Sequence, residues 1–502
     1  MKLAKSLLLG SAAGLVAVAG AQAADLPIRA KNYEYVRICS AYGAGFFYIP
    51  GTDTCLKIGG RVRAEYRGIG IEGKFSGSDS GYANESAADR ALRYQRNPLL
   101  GHKKYIESDD YHSSGFRTRA RIDLDARTAT EYGTLRTYIR LQTTHNSGAY
   151  NGYGESRTTE LDRAFVQFLG FTAGRTVSFF DFSEGTNYGD LRFSDGEVTD
   201  LLAYTATFGN GFSFTLSIED PTMRGQTGYL VSTGMTEGTN GIIRSTTGAY
   251  LEQRSEIPDI VAAFRVDQAW GSLQLSAAAH QNTESIVGFQ RINGERHRVT
   301  ADDEWGFAVG LGAKINMDFL SPGDYFWLNA TYASGALSYL GIHDDMGDGY
   351  TAFSSGRMAN AVGFAYIDAN GRWNVDTDVA EGWQVSAGFE HWWTPTFHTS
   401  IFGSYAKVDS VDATWRDTGV GFASLYSGTL TPEFEEYRVG LQNVWTPVKG
   451  LDLGLEVMYF NQSYEYAYSR ATTVANATNS YSWNGKEEEE GWEARIRVQR
   501  DF

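Results

Sequence analysis

Apolar and charged side chains alternate residue by residue in stretches of about ten, and arginine recurs on the charged side. Leu56, Ile58, Val62, Ala64 and Tyr66 share one parity, while Lys57, Arg61, Arg63 and Arg67 share the other. Arg117, Arg119 and Arg121 then alternate with Phe116, Thr118, Ala120 and Ile122, and Arg136 and Arg140 alternate with Leu135, Thr137, Ile139 and Leu141. The chain ends in the same way. Trp492, Ala494, Ile496, Val498 and Phe502 lie on one side, and Glu493, Arg495, Arg497, Gln499 and Asp501 on the other. A period of two is that of a β-strand, whose successive side chains point to opposite faces. Such strands suit two arrangements: a soluble sandwich turns the apolar faces inward, whereas a transmembrane barrel turns them outward to lipid and lines a wet interior with the charges.

The connections separate these two. The pattern predicts strands near 56–67, 115–126, 133–144, 160–169, 170–178, 200–209, 211–219 and 258–267, then 270–280, 304–315, 324–334, 381–391, 396–407, 435–445, 451–462 and 491–502. That is about 16 strands, an even number as bacterial barrels require. Short turns such as Gly209-Asn210-Gly211 and Trp393-Thr394-Pro395-Thr396 alternate with long polar segments near 68–114, 220–257, 281–303, 335–380, 408–434 and 463–489. Short turns at one rim and long extracellular loops at the other are the organisation of a transmembrane barrel, and a sandwich has no reason to alternate this way. Trp270, Trp305, Tyr325, Phe326, Trp327, Trp392, Trp393 and Trp445 gather near strand ends, as interfacial girdles do. The expected fold is all-β: a transmembrane antiparallel β-barrel over 56–502.

The chain opens with Lys2 and Lys5, an apolar stretch from Leu7 to Ala19 and the small-residue site Ala21-Gln22-Ala23, which reads as a cleaved secretory leader over 1–23. Loss of Lys2 and Lys5 takes the net charge from -16 to -18. Such an acidic chain is a poor candidate for nucleic-acid binding. Cys39 and Cys55 are the only cysteines, and in an oxidising compartment they are expected to form a disulfide. They fall in the leading segment 24–55, which reads as a periplasmic turn, an inner-wall segment or an extra short strand. No cofactor and no metal site is expected.

Arg61, Arg63, Arg117, Arg119, Arg121, Arg136 and Arg140 would stack on one inner face of adjacent strands, with Arg163 following on the next. On a lipid face each would cost about 2–4 kcal/mol near the midplane, whereas a wet lumen tolerates them. After the fifth strand comes the third long loop, with Asp181, Glu184, Asp190, Asp195, Glu197 and Asp200. Folded into the barrel, this loop would set acids against the arginine wall across a constriction, and opposed charges of this kind set pore selectivity. The plainer alternative is that the arginines pair locally with Glu65, Asp123 and Asp125 and that the loop is exposed.

The chain resembles the porin family of alphaproteobacteria. The residues that carry the resemblance are Lys5-Ser6-Leu7-Leu8-Leu9-Gly10-Ser11-Ala12-Ala13, Tyr35-Val36-Arg37-Ile38-Cys39, Ala41-Tyr42-Gly43-Ala44-Gly45-Phe46-Phe47-Tyr48-Ile49-Pro50-Gly51-Thr52, Thr54-Cys55-Leu56-Lys57-Ile58-Gly59-Gly60, Ala164-Phe165-Val166-Gln167-Phe168 and Gly170-Phe171-Thr172-Ala173-Gly174-Arg175. The resemblance implies a 16-stranded homotrimer in the outer membrane. It also implies a third loop folded inward and diffusion of small hydrophilic solutes and ions through the pore. Phe502 resembles the C-terminal assembly signal of such barrels, although Arg500 stands where that signal is often aromatic. Outer-membrane lipids and lipopolysaccharide are the expected surroundings; the run Glu487 to Glu490 reads most simply as a hydrated loop end, with cation bridges to lipopolysaccharide phosphates as the alternative.

An enzyme is disfavoured, since none of the eight histidines sits in a nucleophile motif. His280, near a strand end, reads as a rim residue. A solute-specific porin would show an aromatic ladder; Tyr138 and Phe165 point inward by parity, but no continuous ladder can be read. A non-conducting structural or adhesin barrel is the other alternative.

Overall fold

The computed structural model describes residues 37–79, 104–106, 113–151, 154–182, 187–188, 191, 198–224, 228–231, 249–251, 257–282, 286–292, 295–300, 303–342, 361–367, 373–419, 422–474 and 477–502. Sixteen strands form one closed antiparallel barrel. They are β1 (Thr54–Asp79), β2 (Ser114–Thr130), β3 (Gly133–Ser147), β4 (Glu155–Phe168), β5 (Phe171–Val177), β6 (Val198–Gly209), β7 (Phe212–Glu219) and β8 (Asp259–Gln268), followed by β9 (Gly271–Asn282), β10 (Glu304–Asn316), β11 (Tyr325–Ser334), β12 (Glu381–Thr394), β13 (Phe397–Val408), β14 (Glu433–Val448), β15 (Leu451–Val474) and β16 (Ala477–Asp501). Each strand pairs with its neighbours in chain order, and β1 closes the ring by pairing with both β2 and β16. At this seam Phe502 and Gly60 exchange two backbone hydrogen bonds of 3.0 Å. The Phe502 ring fills the space where a Cβ on residue 60 would stand, so glycine is required there.

The two faces of the wall follow the alternation. Ile58, Phe116 and Ile122 are 52%, 61% and 53% exposed on the outside, whereas Glu65 and Arg67 are 2% and 3% exposed on the inside. A slip of one residue would send every arginine into the hydrocarbon, so the apolar parity also fixes the pairing register. Tight turns at one rim join β2 to β3 and β4 to β5, and then β6 to β7 and β8 to β9. The other rim carries the long connections, among which residues 228–231, 249–251, 361–367 and 373–379 make a small four-stranded sheet.

The structure departs from expectation in three places. First, β1 continues to Asp79, and β15 and β16 run on as an unbroken hairpin to the Val474↔Ala477 pair. The segments 68–114 and 463–489 are therefore partly strand. Beyond the membrane no lipid demands an apolar face, so the hydrophobic alternation fades while the backbone ladder goes on. Second, Trp327, Tyr325 and Trp392 are not girdle residues. Trp327 is buried on the inner face, the Tyr325 hydroxyl donates to Glu390 at 3.1 Å, and Trp392 Nε1 donates to Glu390 at 2.9 Å. Trp270, Trp305, Trp393 and Trp445 do stand exposed on the outside. Third, His280 is buried in the wall rather than at the rim.

Cys39 and Cys55 are bonded, with their Cα atoms 6.0 Å apart. Of the leading segment, Phe47–Tyr48 adds a short antiparallel strand to the start of β1. Phe46 packs beneath the disulfide, with the Arg127 guanidinium 5.0 Å from its ring. The leader reading of residues 1–23 lies outside the described residues.

Candidate functional site

Pairing across β16, β1, β2 and β3 sorts the inward side chains into rows. One row holds Asp501, Arg61, Arg121 and Gln142, the next Gln499, Arg63, Arg119 and Thr144, and the next Arg497, Glu65, Arg117 and Asn146. Most of these guanidiniums hold a carboxylate. Arg61 reaches Asp501 at 2.5 Å, Arg67 reaches Glu493 at 3.0 Å, and Arg497 pairs with Glu65. Arg140 meets Asp123 at 2.6 Å and Arg121 meets the same carboxylate at 3.6 Å. Asp125 bridges Arg127 at 2.8 Å and Arg136 at 3.1 Å. All seven arginines singled out from the sequence thus line the interior, and three local acids, Glu65, Asp123 and Asp125, take part in holding them. Arg63, Arg117 and Arg119 differ: their side-chain partners are Gln499 at 3.0 Å, Asn146 at 2.8 Å and Thr144 at 3.1 Å. Tyr138 and Phe165 also face inward, stacked at 5.2 Å.

The third long connection, between β5 and β6, folds into the barrel. Its root lies on β9 and β10. Gln274 Nε2 donates to the carbonyls of Phe179, Phe180 and Asp181 at 3.1–3.3 Å, and Phe180 and Phe182 pack over Gly310 and Gly312. Behind the root is a buried charged cluster. Arg224 joins Glu219 at 2.6 Å and Asp259 at 3.3 Å, and Asp259 also accepts from the Tyr339 hydroxyl at 2.7 Å and meets His280 Nδ1 at 2.8 Å. Glu219 in turn accepts the Phe179 N–H at 3.1 Å, and Tyr339 meets the Phe180 ring edge-on at 4.7 Å. Two outer connections, through residues 222–224 and 337–340, thereby brace the loop from behind.

Further on, the loop reaches the opposite side. Leu191 joins an apolar cluster with Ile69, Trp327, Phe402, Met458 and Phe460. The Tyr188 N–H donates to Glu456 at 2.5 Å, its carbonyl accepts from Arg495, and its ring lies 3.6 Å from the Arg497 guanidinium. A Cβ on residue 454 would collide with Tyr188, so Gly454 makes the slot for it. In a ring of sixteen, β9 stands opposite β1. Asp181 therefore touches the wall on the β9 side of the lumen, and Tyr188 touches the opposite wall at the edge of the arginine rows.

Of the acids singled out, Asp181 is buried at the root beside Gln274. Glu184, Asp190, Asp195 and Glu197 lie outside the described residues. Asp200 does not belong to the loop. It sits on the outer face of β6, 3.5 Å from Arg175. Tyr188, Arg495 and Arg497 were not singled out for the site. The two arginines were legible as the charged face of the last strand, but Tyr188 carried no local signal.

A family model described as a porin subfamily matches residues 25–492. Porin Omp2b of Brucella abortus is 33% identical over 346 residues, 66% of this chain and 74% of that protein, and porin Omp2b of Brucella suis biovar 1 is 33% identical over 350 residues, with the same two shares. Among solved structures, the outer membrane channel DcaP of Acinetobacter baumannii aligns over 91% of this chain and 99% of its own, at a TM-score of 0.48 and 14% identity. A closed barrel with an aliphatic exterior and a charged interior is what spans an outer membrane, and this chain belongs to the porin subfamily as an integral β-barrel of that membrane through which solutes diffuse.

Proposed function

We propose that small hydrophilic solutes and ions pass between the arginine wall of β1 to β4 and the acid-bearing third loop, which together form the constriction. The observation that carries this reading is that the loop touches opposite walls, at Gln274 on β9 and at Arg497 on β16. Charges fixed on two facing walls orient water and polar solutes and disfavour large apolar ones. The test is single-channel recording in planar bilayers. The wild-type protein is expected to conduct, and Arg117→Ala is expected to shift the reversal potential toward cations. A barrel that passes no current would instead be structural or adhesive, and block by a single sugar would indicate a solute-specific channel.

The same reading includes a homotrimer. The ion pair between Arg175 and Asp200 points outward among Phe171, Leu202 and Tyr204. Charges facing lipid are costly, and covering this face with another protomer removes that cost. At the outer rim, Glu72 and Glu490 stand opposite each other facing outward, and they are suited to cation-bridged contact with lipopolysaccharide phosphates.

A further inference from the structure

We propose that Arg63, Arg117 and Arg119 form a station in the lumen that binds doubly charged oxyanions in transit. This rests on the channel reading above and adds to it a class of solute. The three guanidiniums are neighbours: Arg63 and Arg119 face each other directly across β1 and β2, and Arg117 is two residues along from Arg119 on the same inner face. Like charges placed directly opposite in a sheet are destabilising. Around them the wall relieves that repulsion with carboxylates, since Arg61 has Asp501, Arg121 has Asp123 and Arg497 has Glu65. Among the described residues, no ion pair involves Arg63, Arg117 or Arg119.

What these three have instead is uniform. Each donates its Nε–H to a neutral acceptor, Gln499 Oε1 at 3.0 Å, Asn146 Oδ1 at 2.8 Å and Thr144 Oγ1 at 3.1 Å respectively. A guanidinium has five donors in a rigid plane. Holding it by Nε fixes the plane and leaves the Nη donors, which match tetrahedral and planar oxyanions in pairs. All three are partly exposed to the lumen. The Tyr150 ring backs Arg117 at 4.1 Å, which further fixes its plane. Neutral acceptors orient the forks without spending their charge, whereas a carboxylate would do both. Sulfate and hydrogen phosphate have the charge and oxygen spacing such a site would take, and chloride lacks the paired oxygens.

The experiment uses the full-length protein in planar bilayers in potassium chloride, with potassium sulfate or potassium phosphate added as the probe. Wild type is expected to show brief current blockades that increase with either probe. In the double variant Arg63→Gln plus Arg119→Gln, the half-blocking concentration is expected to rise about tenfold or more, as loss of charge-assisted bonds implies. Arg265→Gln serves as the charge-matched control, because Arg265 sits on β8 and is held by Asp267 at 2.9 Å; it is expected to leave the half-blocking concentration within about twofold. Heat-modifiable gel migration establishes that each barrel is folded. Blockade by sulfate but not phosphate, or the reverse, identifies which oxyanion the station takes and supports it. A conducting wild type with no blockade by either probe, or an equal loss in Arg265→Gln, overturns the station and leaves the channel reading intact. A wild type that passes no current overturns the channel reading and the station with it.

Discussion

The Arg497 guanidinium lies 3.6 Å from the centre of the Tyr188 ring, so the third connection is clasped by the last strand of the barrel. Such a contact is worth about 0.5–2 kcal/mol, and the Tyr188 N–H adds a bond to the Glu456 carboxylate. In Tyr188→Ala both the ring contact and the fit into the Gly454 slot are lost. Single-channel conductance is expected to rise, with noisier open-state current. An unchanged conductance would mean that the loop is held elsewhere.

At the other end of the loop, Asp259 holds Arg224, His280 and Tyr339 together. Removing one partner from a buried ionic cluster costs about 3–5 kcal/mol. Asp259→Ala is expected to lower the temperature at which the barrel loses its folded gel migration and to increase current flicker. Tyr339→Phe, which removes one hydrogen bond, is expected to cost about 1.5–3 kcal/mol, with a correspondingly smaller shift on the same gel.

The Cys39–Cys55 bond closes a short loop beside Arg127. Cross-links over loops of this length contribute about 3 kcal/mol. Because the strand pairing of residues 37–53 with the barrel lies at the start of β1, Cys39→Ser plus Cys55→Ser is expected to leave the barrel folded while exposing this segment to protease. Mass spectrometry of the cleavage products reads the outcome.

The outward pair of Arg175 and Asp200 predicts an effect on assembly. Asp200→Ala leaves Arg175 on the outer face without its carboxylate, at a cost of about 2–4 kcal/mol if lipid covers it. A reduced yield of the detergent-resistant oligomer is expected on unheated gels. An oligomer of unchanged stability would place this face elsewhere than an interface.

Much of this architecture is legible from parity because lipid imposes it. Phe116, Thr118 and Ala120 could not trade faces with Arg117, Arg119 and Arg121 without exposing charge to hydrocarbon. The same rule sorts Trp327, which shares a parity with Asn329 and Thr331 and so faces inward; nearness to a strand end alone misplaced it in a girdle. The hairpin of β15 and β16 beyond Gln462 was not legible, since outside the membrane both faces are wet and no hydrophobic period remains. Tyr188 was not legible either. Its role depends on a glycine slot and two arginines more than 260 residues further along the chain, whereas the acids around it drew attention by composition. Nor does a lone histidine such as His280 announce a buried carboxylate partner that arrives from another strand.

The claim on which everything else depends is that Arg119 borders enclosed water while its neighbour Ala120 borders lipid. Both native cysteines are tied in a disulfide, so a single introduced cysteine reports its own surroundings. The decisive measurement is single-channel current during addition of a charged, membrane-impermeant thiol reagent to Arg119→Cys and to Ala120→Cys. A stepwise change in conductance is expected for Arg119→Cys and none for Ala120→Cys. Modification of Ala120→Cys with Arg119→Cys unaffected would contradict it.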